Sequence, residues 1–143
     1  MADERADIVY QIFSDDVRLE IGNKLSLMGV FQEVFVQQLP VTLPKMAVLT
    51  QWRGAGEYTS EVRILAPDRK TLLASSPQTV FQIPEGGYAN NVNFFLNLQL
   101  EQPGEYTIQT FLNALPFLEQ KIVVGKVNMQ QPQQGGAADE TVN

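Results

Sequence analysis

The 143-residue sequence contains no cysteine and no histidine. Without cysteine there can be no disulfide framework and no thiolate metal site. Without histidine the usual general base is missing, and so is the commonest transition-metal ligand. The expectation is a protein that is not an enzyme, with no cofactor and no resident metal. Positive charge is also scarce: ten Lys and Arg stand against sixteen Asp and Glu, for a net charge of −6. No run of Lys or Arg occurs, so the electrostatic footprint of a nucleic-acid binder is missing. No window approaches the roughly 18 apolar residues that a membrane helix needs. The opening Met1-Ala2-Asp3-Glu4-Arg5-Ala6-Asp7 is charged and has no apolar core, so it does not read as a secretory signal. A cytoplasmic protein with no nucleic-acid and no membrane partner is expected.

What the sequence does have is alternation. The length suits one domain, with a core large enough to stand without staples. Apolar residues recur at every second position, the period of a half-buried strand. Asp7 to Phe13 and Leu25 to Phe31 read this way, as does Lys45 to Arg53, where Met46, Val48, Thr50 and Trp52 share one face. Gly54-Ala55-Gly56 reads as a turn, with Tyr58 to Leu65 as the returning strand. Ala66-Pro67-Asp68-Arg69-Lys70 carries turn chemistry, with Asp68 placed to close an Asx turn. Short strands follow at 71–74 and 79–83, then a long one at 92–100 and a closing hairpin at 106–124. Only Ser14 to Glu20 looks helical, because Asp15 and Asp16 suit the first turn and Gly22 suits a helix end.

The reading that follows is an all-β domain: an immunoglobulin-like antiparallel β-sandwich of about 7–9 strands, with one short helical turn near residues 15–21. Pro103-Gly104-Glu105-Tyr106-Thr107-Ile108 has the form of a tyrosine corner, and also that of a common turn into a strand. Residues 1–5 are expected to be a flexible N-terminus, 6–126 the sandwich, and 127–143 a disordered acidic and polar tail.

Four groups of side chains stand out as candidate sites. Phe111, Leu115, Phe117 and Leu118 cluster at a hairpin tip where polar residues are expected. Exposed, they would form an interface; under a loop, they would be core. Tyr88, Asn93, Phe95, Asn97 and Gln99 would place amides and aromatics on the outer face of one strand, the material of sugar or peptide binding. An ordinary solvated strand face has the same composition. Asp7, Asp15 and Asp16 invite a calcium reading, but they lack the spacing of a dedicated loop. Asp16, Arg18, Glu20 and Lys24 are better suited to an ion-pair cluster.

Asp15-Asp16-Val17-Arg18-Leu19-Glu20 and Gly22-Asn23-Lys24-Leu25-Ser26-Leu27-Met28-Gly29-Val30 together form a block. It resembles the opening of an uncharacterised family of small bacterial β-sandwich proteins, a domain of unknown function. The resemblance implies a β-sandwich and carries over no activity, cofactor or catalytic residue. The function expected is a non-catalytic module that binds a protein partner or forms a homo-oligomer. The alternative is a small-molecule or carbohydrate-binding domain.

Overall fold

A computed structural model describes residues 6–127. The segments 1–5 and 128–143, expected to be a flexible start and a disordered tail, lie outside the described residues. Eight strands follow in order: β1 (Ala6–Glu20), β2 (Lys24–Phe31), β3 (Glu33–Val36), β4 (Val41–Leu65), β5 (Leu72–Ser75), β6 (Thr79–Leu100), β7 (Gly104–Leu112) and β8 (Leu115–Lys126). They form one curled, mixed sheet. The order is β2-β1-β4-β7-β8-β3, with β5 and β6 also on β4. All pairs are antiparallel except β3 with β8, which is parallel, so the expectation of a purely antiparallel arrangement is corrected. The chain is all-β among the described residues, and none of them forms a helix long and apolar enough to cross a membrane.

The curl comes from two unusually long strands. β4 runs for 25 residues and β6 for 22. Residues 41–54 of β4 pair with the second half of β6, and residues 47–54 have β1 on their other side. Residues 56–65 lie with β7 on one side and the first half of β6, then β5, on the other. Gly54 and Gly56, at φ 139° and 119°, bend β4 between these halves. The expected turn at 54–56 is therefore a bend inside one strand, and 58–65 does not fold back on 45–53. Alternation alone cannot separate the two cases, because both interrupt it with the same glycines.

The bend lets the two halves of the sheet face each other. Phe13, Met46, Val48, Phe95, Leu98 and Leu100 come from one half. They pack against Val62, Ile64, Tyr106, Ile108, Ile122 and Val124 from the other. Each such side chain contributes roughly 1.5–3 kcal/mol when fully buried. At the bend, Trp52, Tyr58 and Ile83 form a second cluster with Ile8 and Phe81. The Trp52 ring lies 5.4 Å from Phe81 and 5.3 Å from Phe117.

The expected helical turn at 15–21 is not formed. Residues 13–20 of β1 pair with 24–31 of β2 in register, from Phe13 opposite Phe31 to Glu20 opposite Lys24. Gly22 and Asn23 both have positive φ, 87° and 61°, as a tight hairpin turn demands. Val17, Leu25 and Leu27 then pack on Ala47 and Leu49, the face of β4 opposite to Met46 and Val48. Burying that hairpin outweighs a local capping preference of about 1 kcal/mol.

Two turns behave as their sequences suggest. The Tyr106 hydroxyl donates to the carbonyl of Gln102 at 2.5 Å, four residues upstream, as in a tyrosine corner. Asp68 Oδ1 accepts from the N–H groups of Lys70 and Thr71, both at 2.8 Å, and Oδ2 accepts from the Thr71 hydroxyl at 2.6 Å. The Thr71 hydroxyl, with these two amides, lowers the Asp68 pKa from 3.8 to about 2. A depressed carboxylate stabilises the fold above its unfolded pKa and loses that effect as pH falls through its folded one. Wild type is therefore expected to lose stability between pH 3.8 and about 2 through this turn. Asp68→Asn should flatten that part of the profile, as read by thermal melts across the acid range.

Candidate functional site

One end of the molecule gathers the β4 bend, the start of β1, the 84–88 segment of β6 and the tip of the β7–β8 hairpin. The tip is a two-residue turn in which Asn113 and Ala114 have φ of 51° and 68°. It is tied down from outside its own hairpin: Asn113 N–H donates to Thr59 O at 2.7 Å, and Asn113 Oδ1 accepts from Thr59 N–H at 3.0 Å. Leu115 is 67% exposed and Phe117 39%. Phe117 rests one side of its ring near Trp52. Leu115, Pro116 and Phe117, with Ala6, Tyr58, Leu112 and Asn113, line a cleft of about 430 Å³.

The four residues expected at the interface separate into two kinds. Leu115 and Phe117 are exposed at the tip. Phe111 and Leu118 are half-buried further down the hairpin, and the Arg63 guanidinium stands 4.4 Å from the Phe111 ring centre. The tip thus presents a small apolar surface on an anchored turn.

The expected amide face is not one face. Phe95 is buried among the core residues facing the second half of the sheet. Asn93 lies on that same inner side by alternation, and its Oδ1 is buried with no hydrogen-bond partner. Asn97, Gln99 and Tyr88 are exposed. The reason is Asn97, whose φ of 55° lies in the left-handed region. Alternation slips there: Leu96 is 65% exposed, while Leu98 and Leu100 are both buried. The register with β4 is unbroken across it, from Lys45 opposite Leu96 to Leu43 opposite Leu98, so what slips is the side to which the side chains point.

The outer face carries a different polar row, which the sequence reading did not single out. Asp7 of β1 lies opposite Arg53 of β4, and Arg53 lies opposite Tyr88 of β6. Gln51 Nε2, one row further in, donates to Asn90 Oδ1 at 3.2 Å. Asp7, Arg53 and Tyr88, with Ala6, Gly54, Gly86 and Gly87, line a second cleft of about 420 Å³. The row spans three strands, so no periodicity within one segment could reveal it.

The acidic cluster is structural. Asp16 Oδ1 accepts from Lys45 Nζ at 2.9 Å and from Val17 N–H at 2.9 Å, and Oδ2 lies 3.4 Å from Arg18 Nε. Lys45, more than the other partners, holds the Asp16 pKa below its ordinary value. Lys45, distant in sequence, takes the place expected of Lys24. Among the described residues, no three Asp or Glu side chains stand close enough together to hold a metal ion.

These features define a small all-β domain that exposes apolar and aromatic side chains at one end. The chain belongs to the Family of unknown function (DUF6941), whose profile it matches over residues 9–125. No curated protein sequence matches it. Among solved structures it is similar to part of the Pseudomonas fluorescens alkylpurine DNA glycosylase AlkC bound to DNA containing an abasic site analog. The TM-score is 0.50 at 5% identity, over 84% of this chain and 30% of that one. It is also similar to part of β-glucosidase 3B from Thermotoga neapolitana in complex with glucose, with a TM-score of 0.42 at 16% identity. That match covers 81% of this chain and 16% of the glucosidase. The chain therefore spans less than a third of either protein, and the likeness concerns the fold alone.

Proposed function

We propose that the chain is a non-catalytic protein-interaction module that binds through the β7–β8 tip. One observation carries this reading: an apolar tip that is both exposed and anchored. Leu115 stands clear of the surface, while the Phe117 ring is tilted against a buried tryptophan and Asn113 is clamped to Thr59. An anchored apolar group beside a cleft loses little conformational entropy on binding, which is what interface anchors require. We read the fold as an immunoglobulin-like sandwich, supported by the Tyr106 corner and the two facing halves of the sheet. A reducing, cytoplasmic setting fits a chain without cysteine.

Affinity capture from a native lysate tests the tip, with wild type and Leu115→Asp compared after both melt at similar temperatures. A protein retained by wild type and lost at least tenfold with Leu115→Asp supports the reading. Equal capture by both, or none by either, ends it.

The small-molecule or carbohydrate reading moves to the outer face. Tyr88 and Arg53 flank an open cleft there, beside the Gln51–Asn90 amide pair. A glycan panel read by thermal shift tests it, and stabilisation of wild type that survives in Tyr88→Ala would count against it.

A further inference from the structure

A strand has two edges, and among the described residues β6 is bonded along only one. Residues 88–100 pair with β4, and no described strand pairs with them on the far side. Every second N–H and C=O along that far edge points away from β4, as antiparallel geometry requires. Unpaired edges of this kind are templates for another strand, and folded proteins blunt them with charge, proline, bulges or shortness.

The other edges of this sheet carry such devices. β2 has Lys24 at its start and Gly29 at φ 68° within it. β3 is four residues long and begins with Glu33. β5 is four residues long and ends two residues before Pro77. The first half of β6 closes with Pro84 and Glu85. From residue 86 to residue 100, by contrast, there is no charged side chain and no proline. Asn97 turns the chain at the far end, so the regular open stretch is 88–96. Along it Tyr88, Phe94 and Leu96 are exposed on the outer face.

We propose that residues 88–96 pair antiparallel with the same residues of a second copy of this chain. Charge selects that occupant. The chain carries a net −6, so two copies approach with least repulsion along a run that brings no carboxylate; residues 86–100 are such a run, with the cations of Lys45 and Arg53 beside it on β4. A foreign strand would be singled out by complementary charge or by side-chain pockets along the edge, and residues 86–100 offer no charge for it. A second copy brings the same uncharged run. Two-fold pairing joins the two outer-face rows into one stripe, with Tyr88 of each copy opposite Leu96 of the other, Val92 opposite Val92, and Phe94 opposite Asn90. This surface is separate from the β7–β8 tip, and the proposal stands or falls independently of the tip's partner.

Sedimentation equilibrium and hydrogen exchange on the full chain test it together. Wild type should sediment at twice its 16.0 kDa mass at high concentration and dissociate on dilution. Alternate amides within 88–96, fast in the dilute monomer, should slow at least tenfold in the dimer. Phe94→Glu places a carboxylate near Lys45 Nζ, which now stands 4.7 Å from the Phe94 ring centre, so the fold is kept while the edge gains charge. That variant should stay monomeric at concentrations where wild type pairs. Wild type that is monomeric throughout overturns the proposal. So does a dimer that survives Phe94→Glu, leaves the alternate 88–96 amides fast and falls apart in Leu115→Asp, since that result assigns self-association to the tip.

Discussion

Replacing Trp52 by alanine is expected to remove about 3–5 kcal/mol of stability, the range for emptying a large aromatic site in a core. That is a large part of the roughly 5–15 kcal/mol typical of a domain. Trp52 is fully buried, and it is the only tryptophan in the chain. Its ring stands against Phe81 and Phe117. The Asn91 amide lies 3.2 Å from its Nε1, and since an indole N–H only donates, the amide oxygen faces it. Alanine leaves a void under the β4 bend and removes the support of the tip at one stroke. Urea unfolding followed by circular dichroism measures the loss, and Trp52→Phe should lose much less because a ring remains. A loss below about 1 kcal/mol would mean that the bend is held by its backbone alone. Trp52→Ala should also weaken any partner bound at Leu115 and Phe117, although neither residue is changed. In wild type, the fluorescence of this single tryptophan should respond to whatever binds the tip.

The all-β character was legible because alternation survives in nearly every strand. Met46 and Val48 are buried as their alternation predicts, and the Asp68 and Tyr106 turns form as their residues suggest. What failed were punctuation marks with two meanings. Gly54 and Gly56 bend a strand instead of ending it, and β6 bends with β4 across Pro84 to Gly87. Gly22 with Asn23 makes a hairpin turn instead of a helix end. In that case a better signal was present: two adjacent residues that tolerate positive φ, set between apolar alternations. The Asp15-Asp16 pair carries a competing signal, that of a helix start.

The candidate sites divide along the same line. The exposed tip was readable because Leu115-Pro116-Phe117 is apolar where a hairpin should be polar. The amide row was misread because one residue, Asn97, shifts the alternation by one position. The Asp7–Arg53–Tyr88 row lies across three strands that are 35 or more positions apart in the chain, so it exists only once the register is known. The open edge of β6 is of the same kind. Its lack of charge is visible in the sequence, but its lack of a neighbour belongs to the topology.

Gln11→Met is expected to destabilise the fold by about 2–3 kcal/mol, although it replaces a polar side chain with an apolar one of similar length. Gln11 sits on β1 and bridges the two halves of the sheet. Its Nε2 donates to Thr50 Oγ1 on β4 at 3.0 Å and to Thr110 Oγ1 on β7 at 2.8 Å, while Oε1 accepts from Gln120 Nε2 on β8 at 3.1 Å. Thr50 and Thr110 are both buried. Methionine would fill the space and leave two buried hydroxyls without this donor, and a buried polar group left unpaired costs about 1–3 kcal/mol. Gln120, only half-buried, can turn toward water, so its loss counts for little. The decisive comparison is the triple variant Gln11→Met, Thr50→Val, Thr110→Val. If the destabilisation comes from orphaned hydroxyls, removing them should restore most of the stability lost in Gln11→Met, as read from urea midpoints. If the triple variant is instead weaker than Gln11→Met, the network contributes net attraction between the halves. Either way the bridge explains why the core can contain polar groups: one amide on β1 is shared by β4 and the β7–β8 hairpin, and each hydroxyl has this partner only when the halves sit in this register.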